Sequence, residues 1–374
     1  MKHAIHKLFF AALMAVAIVQ AQAADLNWRP VSIGGRDYLT LGNVAQFYQL
    51  RVEQDAVDHH WILNDTRPRL ETCVNPRELY INGVKQWLAY PLLTQNGEML
   101  ISRLDLAKTV EPALRPTMIG NLAPFHTVVL DAGHGGQDGG SHSTTGQEKA
   151  YTLDVIKDLK KSLEAKGLRV VLTRDDDVYL PLESRADLAN HASDAVFVSV
   201  HFNSSADASA KGFEVYAMTP CGATSTSDAM PTPDQFKQMP GNDFDNASLA
   251  LATCVHHSLL GHISDGDRGV RRARFAVLRL THAPAILVEG GFLSNGPESR
   301  EINDPAWREK LAEAIATGVR SFQNVAEFKE PPKLVADYRS EVMPGVATIL
   351  NPAVFAASSY SPKRQLVPVS NPHP

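Results

Sequence analysis

At 374 residues the chain is long for one domain, so two domains with flanking tails are expected. Its 44% hydrophobic content can fill a core, and its 21% charged residues form no long block of one sign, which excludes general disorder. A net charge of -5 gives no electrostatic draw to nucleic acid, and three cysteines, an odd number, exclude a disulfide framework.

Residues 1–23 read as a secretory signal peptide. Lys2, His3 and Lys7 make a basic start, Leu8 to Val19 is uninterrupted apolar sequence, and Ala21-Gln22-Ala23 is a small-x-small cleavage site. The apolar run is short for a bilayer, and no other stretch is long enough, so no integral membrane span is expected after removal of the signal. Cleavage after Ala23 removes two lysines and no acid, which moves the net charge from -5 to -7. Export to the periplasm or medium puts Cys73, Cys221 and Cys254 in an oxidising compartment, where Cys221–Cys254 is the bridge to test.

Residues 26–115 read as a small mixed α+β domain. Asp37–Leu41 is strand-like, and Asn43–Leu50 places Val44, Phe47 and Leu50 on one helical face. Glu78–Ile81 runs into an Asn82-Gly83 turn with Lys85–Leu92 as the returning strand, and Asp105–Val110 is a short helix. The stretch "RELYINGVKQWLAYPLLTQNGEMLISRLDLAKTVEP" resembles the copper amine oxidase N-terminal-like stalk domain of exported enzymes. The name implies no copper here, because the stretch has no metal-ligand spacing. Pro112, Pro116 and Pro124 punctuate a linker.

From residue 125 to 325 short apolar strands alternate with amphipathic helices, the pattern of an α/β fold with a mostly parallel sheet covered by helices on both faces. The strands expected are Thr127–Asp131, Leu168–Thr173, Ala195–His201, Gly212–Ala217, Phe275–Thr281 and Ala285–Glu289. The helices are Lys149–Lys166, Glu183–His191, Asn246–His262 and Pro305–Phe322. The first of these carries Leu153, Ile156, Leu159 and Leu163 on one face and stops at Gly167. Residues 218–245, rich in Pro, Ser and Thr, interrupt the rhythm as an insertion, and residues 330–374 read as an extended or disordered tail.

Four side chains stand out. Asp131-Ala132-Gly133-His134-Gly135-Gly136 follows a buried strand directly; it lacks the Lys-Ser/Thr of a P-loop and the glycine spacing of a dinucleotide fold. Its histidine sits where open α/β sheets build their sites. His201 ends a second apolar strand, so two strands deliver a histidine to the same edge. Glu289 closes the run Ile286-Leu287-Val288, where a carboxylate is costly unless paired or bound. Glu148 opens the first helix, a position that a dipole-capping Glu also explains. Two histidines and one of these glutamates make a catalytic zinc set with a fourth position open, and the other glutamate supplies a base.

The same residues lie in motifs that, in series, closely resemble the zinc-dependent N-acetylmuramoyl-L-alanine amidases of the Amidase_3 type. The motifs are "VVLDAGHGGQDGG", "GQEKAYTLDV", "VVLTRDDDVYLPLESRADLAN", "VFVSVHFNS", "DRGVRRARFAVLR" and "PAILVEGGFLSN". The resemblance implies His134, Glu148 and His201 as Zn2+ ligands and Glu289 as catalytic acid/base. It implies hydrolysis of the amide between the muramic acid lactyl group and L-alanine of peptidoglycan, with activity falling at acid pH because both histidines must be neutral to bind metal. Ala132, Thr152 and Gly290 stand where the family often has Pro, Asn and Thr. A zinc peptidase acting within the stem peptide and a non-catalytic cell-wall-binding protein are the competing readings; the second is expected to lack a ligand or Glu289, and none is missing.

Other residues carry lesser expectations. Arg174 and Arg185 read as buried ion-pairing residues. Arg268, Arg271, Arg272 and Arg274 fall on a loop before a strand, and Arg271 is a candidate for holding substrate carboxylates, with Asn203 as a second substrate contact. His256 and His257 are expected at the surface of their helix. The insertion reads as a mobile surface loop, or as an autoinhibitory segment in which Asp228, Asp234, Asp243 or Asp245 reaches the metal. Peptidoglycan and a regulatory protein are the partners expected.

Overall fold

The computed structural model describes residue 28 and residues 30–330, apart from 56–59, 66–68, 229–232 and 265. The signal peptide and the tail beyond residue 330 lie outside the described residues. The first third holds β1 (Val31–Ile33), β2 (Arg36–Thr40), α1 (Leu41–Tyr48), β3 (Arg51–Asp55), β4 (His60–Asn64), β5 (Arg69–Thr72), β6 (Glu78–Ile81), β7 (Val84–Trp87), β8 (Leu93–Gln95) and β9 (Glu98–Ser102). Thr40 caps α1 by accepting from the Asn43 N–H, and Asn82 and Gly83 take the left-handed conformations (φ 52° and 85°) of a tight hairpin between β6 and β7. The expected linker is helical instead: α2 (Arg103–Asp105), a wider turn at Leu106–Val110 and α3 (Glu111–Leu114) run on, with Pro112 inside α3 and Pro112 and Pro116 buried. Pro112 has no N–H for the Lys108 carbonyl four residues before it, and that carbonyl accepts from Arg272 instead.

The remainder comprises β10 (Thr127–Ala132), α4 (Glu148–Ala165), β11 (Arg169–Leu172), α5 (Leu182–His191), β12 (Ala195–Asn203), β13 (Phe213–Met218), α6 (Asp245–His262), β14 (Asp267–Ala273), α7 (Ala276–Arg279), β15 (Ala285–Phe292), α8 (Gly296–Asn303) and α9 (Pro305–Phe328). One sheet runs in the order β11-β10-β12-β15-β13-β14-β7-β6-β5-β4-β3, and a second in the order β1-β2-β9-β8. β11, β10, β12 and β15 are parallel, as the apolar runs and helical crossovers require. β13 is the exception in this mostly parallel sheet: it lies antiparallel to β15, with Glu214 opposite Glu289, and β14 then pairs parallel to it. This reversal brings the beginning of β13, rather than its end, to the edge where β12 and β15 finish. β14 also meets β7 at Val270↔Gln86, so the large sheet continues into the N-terminal strands.

Two further expectations are corrected. Phe275–Thr281 is not a strand: Phe275 precedes the single helical turn α7, and the strand is the arginine-rich Asp267–Ala273 placed earlier on a loop. Charge hid it, because three arginines mask the period-2 pattern that burial of Val270 and Arg272 restores. His256 and His257 are buried rather than at the surface, with His256 Nε2 against Asp267 Oδ1 at 2.8 Å and His257 Nε2 against the Asn82 carbonyl at 3.1 Å. Helix α6 is sandwiched between the sheet and α9, so no face of it is left for solvent.

Cys221 and Cys254 are not bridged. Cys254 is buried in α6, where burial pushes its thiol up to about 12, and the Cys221 thiol faces the Phe236 carbonyl. The sheet is covered on both sides. Val128, Val198, Val215 and Val288 face the core shared with α4, α6 and α9, while Val129, Phe197, Tyr216 and Leu287 face the smaller cluster under α5 and α7. By alternation, His201, Glu214 and Glu289 lie on this second face.

Candidate metal centre

His134 follows β10 in the left-handed region (φ 61°), a conformation uncommon for a residue with a side chain. Its surroundings enforce it. Arg185 is buried, pairs with the buried Asp131 at 2.8 Å, and donates to the carbonyls of Ala132 and His134. Arg174 donates to the carbonyls of Ala132 and Gly133. The expectation of buried ion pairing fits Arg185; Arg174 binds carbonyl oxygens. Together they hold the loop so that the ring of His134 projects with Nδ1 against Asp138 Oδ2 at 2.9 Å.

Glu148 is the first residue of α4, and its side chain does not cap the helix. The buried carboxylate turns into the sheet edge. Its Oε1 lies 3.1 Å from His134 Nε2 and 2.9 Å from His201 Nδ1, and accepts the Phe202 N–H; Oε2 accepts the Ser141 N–H. The ligand atoms of His134, Glu148 and His201 lie within 4.8 Å of one another, the one group of this kind among the described residues. Burial raises the Glu148 carboxyl, and the two imidazoles outweigh it and hold the group well below the usual carboxylate range. The donor set suits a divalent cation: two imidazoles and a carboxylate that stays ionised. The cradle is also tailored. A Cβ on Gly133 would lie 2.3 Å from the His201 ring, and one on Gly140 (φ 66°) would lie 2.6 Å from Glu148 Oε2. These three residues can hold a metal ion.

Glu289 on β15 stands opposite His201 in the parallel register and opposite Glu214 in the antiparallel one. Its Oε2 is enclosed and meets no hydrogen-bond donor among the described residues. Burial, then the charges of Glu148 and Glu214, push its carboxyl well above the usual range. Glu214 is the opposite case. Asn203 Nδ2 (2.7 Å) and Tyr216 Oη (2.9 Å) donate to its Oε1, while Arg268 Nε (2.9 Å) and Arg271 Nε (2.8 Å) face its Oε2. Both residues expected to contact substrate, Asn203 and Arg271, are thus tied to Glu214. Arg272 is buried and donates to the Met218 and Lys108 carbonyls, and Arg274 donates to the Lys237 carbonyl.

Residues 128–321 match the family described as N-acetylmuramoyl-L-alanine amidase (Amidase_3). The chain belongs to this amidase family. It is 33% identical over 223 residues to the N-acetylmuramoyl-L-alanine amidase AmiC of Neisseria meningitidis, covering 54% of each chain. It is 29% identical over 196 residues to the N-acetylmuramoyl-L-alanine amidase LytC of Bacillus subtilis, covering 52% of this chain and 35% of that one. The chain spans about half or less of the length of these curated relatives. The crystal structure of N-acetylmuramoyl-L-alanine amidase from Clostridium difficile 630 is similar over 54% of this chain and 97% of that one, with 33% identity and a TM-score of 0.45.

The residues at which this amidase family member departs from the usual motifs have local explanations. Thr152 donates to the Gly133 carbonyl, so it still braces the His134 loop. Gly290 is hemmed in, since a Cβ there would meet Leu311 at 2.7 Å and Phe202 at 2.8 Å. Ala132 is buried, and its carbonyl takes both arginines. In the insertion, Asp245 pairs with Lys108 (3.3 Å) and Asn242, Asp243 with Gln238, and Asp228 accepts from Ser227. Among the described side chains none of these acids joins the His134 group; the side chain of Asp234 is outside the description. Sequence reasoning missed Glu214, although a glutamate between Phe213 and Val215 in an apolar strand is the same signal that identified Glu289. Asp138, in a polar glycine-rich loop, gave none.

Proposed function

We propose that the chain is an exported zinc amidase that hydrolyses the bond between N-acetylmuramic acid and L-alanine in peptidoglycan. The family assignment supports the substrate class. The observation that carries the chemistry is the pairing of a ready-made His134–Glu148–His201 ligand set with Glu289, which faces His201 across the sheet with one oxygen unpartnered. Those three side chains would hold a zinc ion, whose chemistry when bound would be to polarise an amide carbonyl and lower the pKa of a water. Glu289 accepts the proton of that water and passes it to the nitrogen of L-alanine as the C–N bond breaks and the lactyl carboxylate forms. Its raised proton affinity suits that shuttle. Asp138 holds the His134 ring from its far nitrogen, Nδ1, a task on which metal affinity usually depends.

Export rests on residues 1–23, and no helix among the described residues is long and apolar enough to cross a membrane. The test is to incubate the protein lacking residues 1–23 with purified peptidoglycan and identify the products by mass. Intact stem peptides and bare glycan, both lost on chelation, are expected. Fragments of the stem peptide would instead mark a peptidase.

A further inference from the structure

The active-site face of the sheet continues past Glu289 in a row of side chains contributed by five adjacent strands. His201 on β12 stands opposite Glu289 on β15, and Glu289 opposite Glu214 on β13. Tyr216, two residues on from Glu214 and on its face, stands opposite Arg271 on β14. The guanidinium of Arg271 lies 4.3 Å from the ring centroid of Trp87 on β7. The near end of this row, His201 and Glu289, is accounted for as a metal ligand and the acid/base. Its far half is not.

A glutamate directly across from another in an antiparallel pair is destabilising on its own. Here Glu214 is 2% exposed, accepts from Asn203, Tyr216 and Arg268 and pairs with Arg271, so it neither holds substrate nor moves a proton. What it does is anchor cations. Arg268 and Arg271 both meet its Oε2, and among the described residues neither has another ion-pair partner. Two guanidiniums share one carboxylate, which leaves one positive charge in excess. Both are also pinned on their other sides. Trp87 stacks on Arg271 and donates from Nε1 to the Arg268 carbonyl at 2.9 Å, and Arg268 lies over the Phe292 ring at 4.8 Å. Cations held this firmly lose little freedom on meeting an anion. The side chains remain 30% (Arg268) and 14% (Arg271) exposed, so the excess charge reaches the surface of the cleft.

We propose that Arg268 and Arg271, fixed by Glu214 and Trp87, form a subsite for a carboxylate on the peptide part of the substrate. β14 lies three strands from β12 and adjacent strands are about 4.8 Å apart, so the subsite lies roughly 10–15 Å from His201, the span of about three to four extended residues. The carboxylate it takes is therefore one borne by the stem peptide a few residues from the scissile amide. The inference deepens the amidase reading and rests on it for the identity of the ligand.

The test uses zinc-loaded Glu289→Gln protein, which binds without turnover, and two probes: a muramoyl tetrapeptide with free carboxylates and the same compound with them amidated. Calorimetry is expected to show the free acid binding about 10- to 100-fold more tightly. Arg271→Ala in the same background removes the preference, and Arg271→Lys restores only part of it. Equal affinity for the two probes overturns the subsite without any arginine variant being needed, as does a preference that survives in both Arg271→Ala and Arg268→Ala. If wild type cuts nothing while the Arg271-dependent preference holds, the amidase reading fails and the subsite stands. If it cuts and shows no preference, the subsite alone fails.

Discussion

Replacing Glu289 by glutamine lowers turnover on peptidoglycan about a thousandfold and leaves the metal in place, the loss typical of removing a general acid/base. Glutamine keeps the size and shape of the side chain but cannot take up a proton from water. The residue lies outside the His134–Glu148–His201 group that could hold the metal. Its enclosed Oε2 has no donor to lose, so the exchange leaves no partner stranded. Steady-state rates on wild type and variant, each with metal content measured, check this. A variant with normal turnover removes Glu289 from the chemistry, and one without metal makes it a ligand.

The second large effect concerns residues 24–115. Deleting them is expected to leave a protein that aggregates, or melts at least about 10 °C below the protein lacking only residues 1–23. β14 would become an open edge, because its neighbour β7 is gone. Arg272, 3% exposed, would lose the Lys108 carbonyl, and Asp245, equally buried, would lose the Lys108 ammonium. Breaking buried charge contacts from one side costs about 3–5 kcal/mol, and each kcal/mol moves the midpoint by about 2–4 °C in a chain of this size. Gln86 would no longer reach Thr253, nor the Asn82 carbonyl His257. Calorimetric melting of the two proteins decides it. Equal midpoints would mean that the N-terminal strands are an ornament on a self-sufficient unit.

The sequence was informative where burial is two-sided. β10, β12 and β15 are runs of Val, Ile, Leu and Phe with no competing signal, and each ends in or beside a site residue. Helix α4 was legible from Leu159 and Leu163, which are buried, and from Gly167 after its end. The reversal of β13 was not legible, since strand direction is set by which neighbour a strand finds across the sheet and not by its own side chains. That reversal is what sets Glu214 beside Glu289. β14 was hidden for another reason: its arginines serve Glu214, the Met218 carbonyl and Trp87, partners far away in sequence. The histidines of α6 were misplaced because the groups that meet them, Phe213 and Asp267 for His256 and the Asn82 carbonyl for His257, lie outside the helix.

If His134, Glu148 and His201 hold one metal ion with Glu289 beside it, the number of zinc ions per chain reads this out. Native mass spectrometry of wild type, Glu148→Ala and Glu289→Gln is expected to count one, none and one. Zinc retained by Glu148→Ala, or lost from Glu289→Gln, would overturn that assignment.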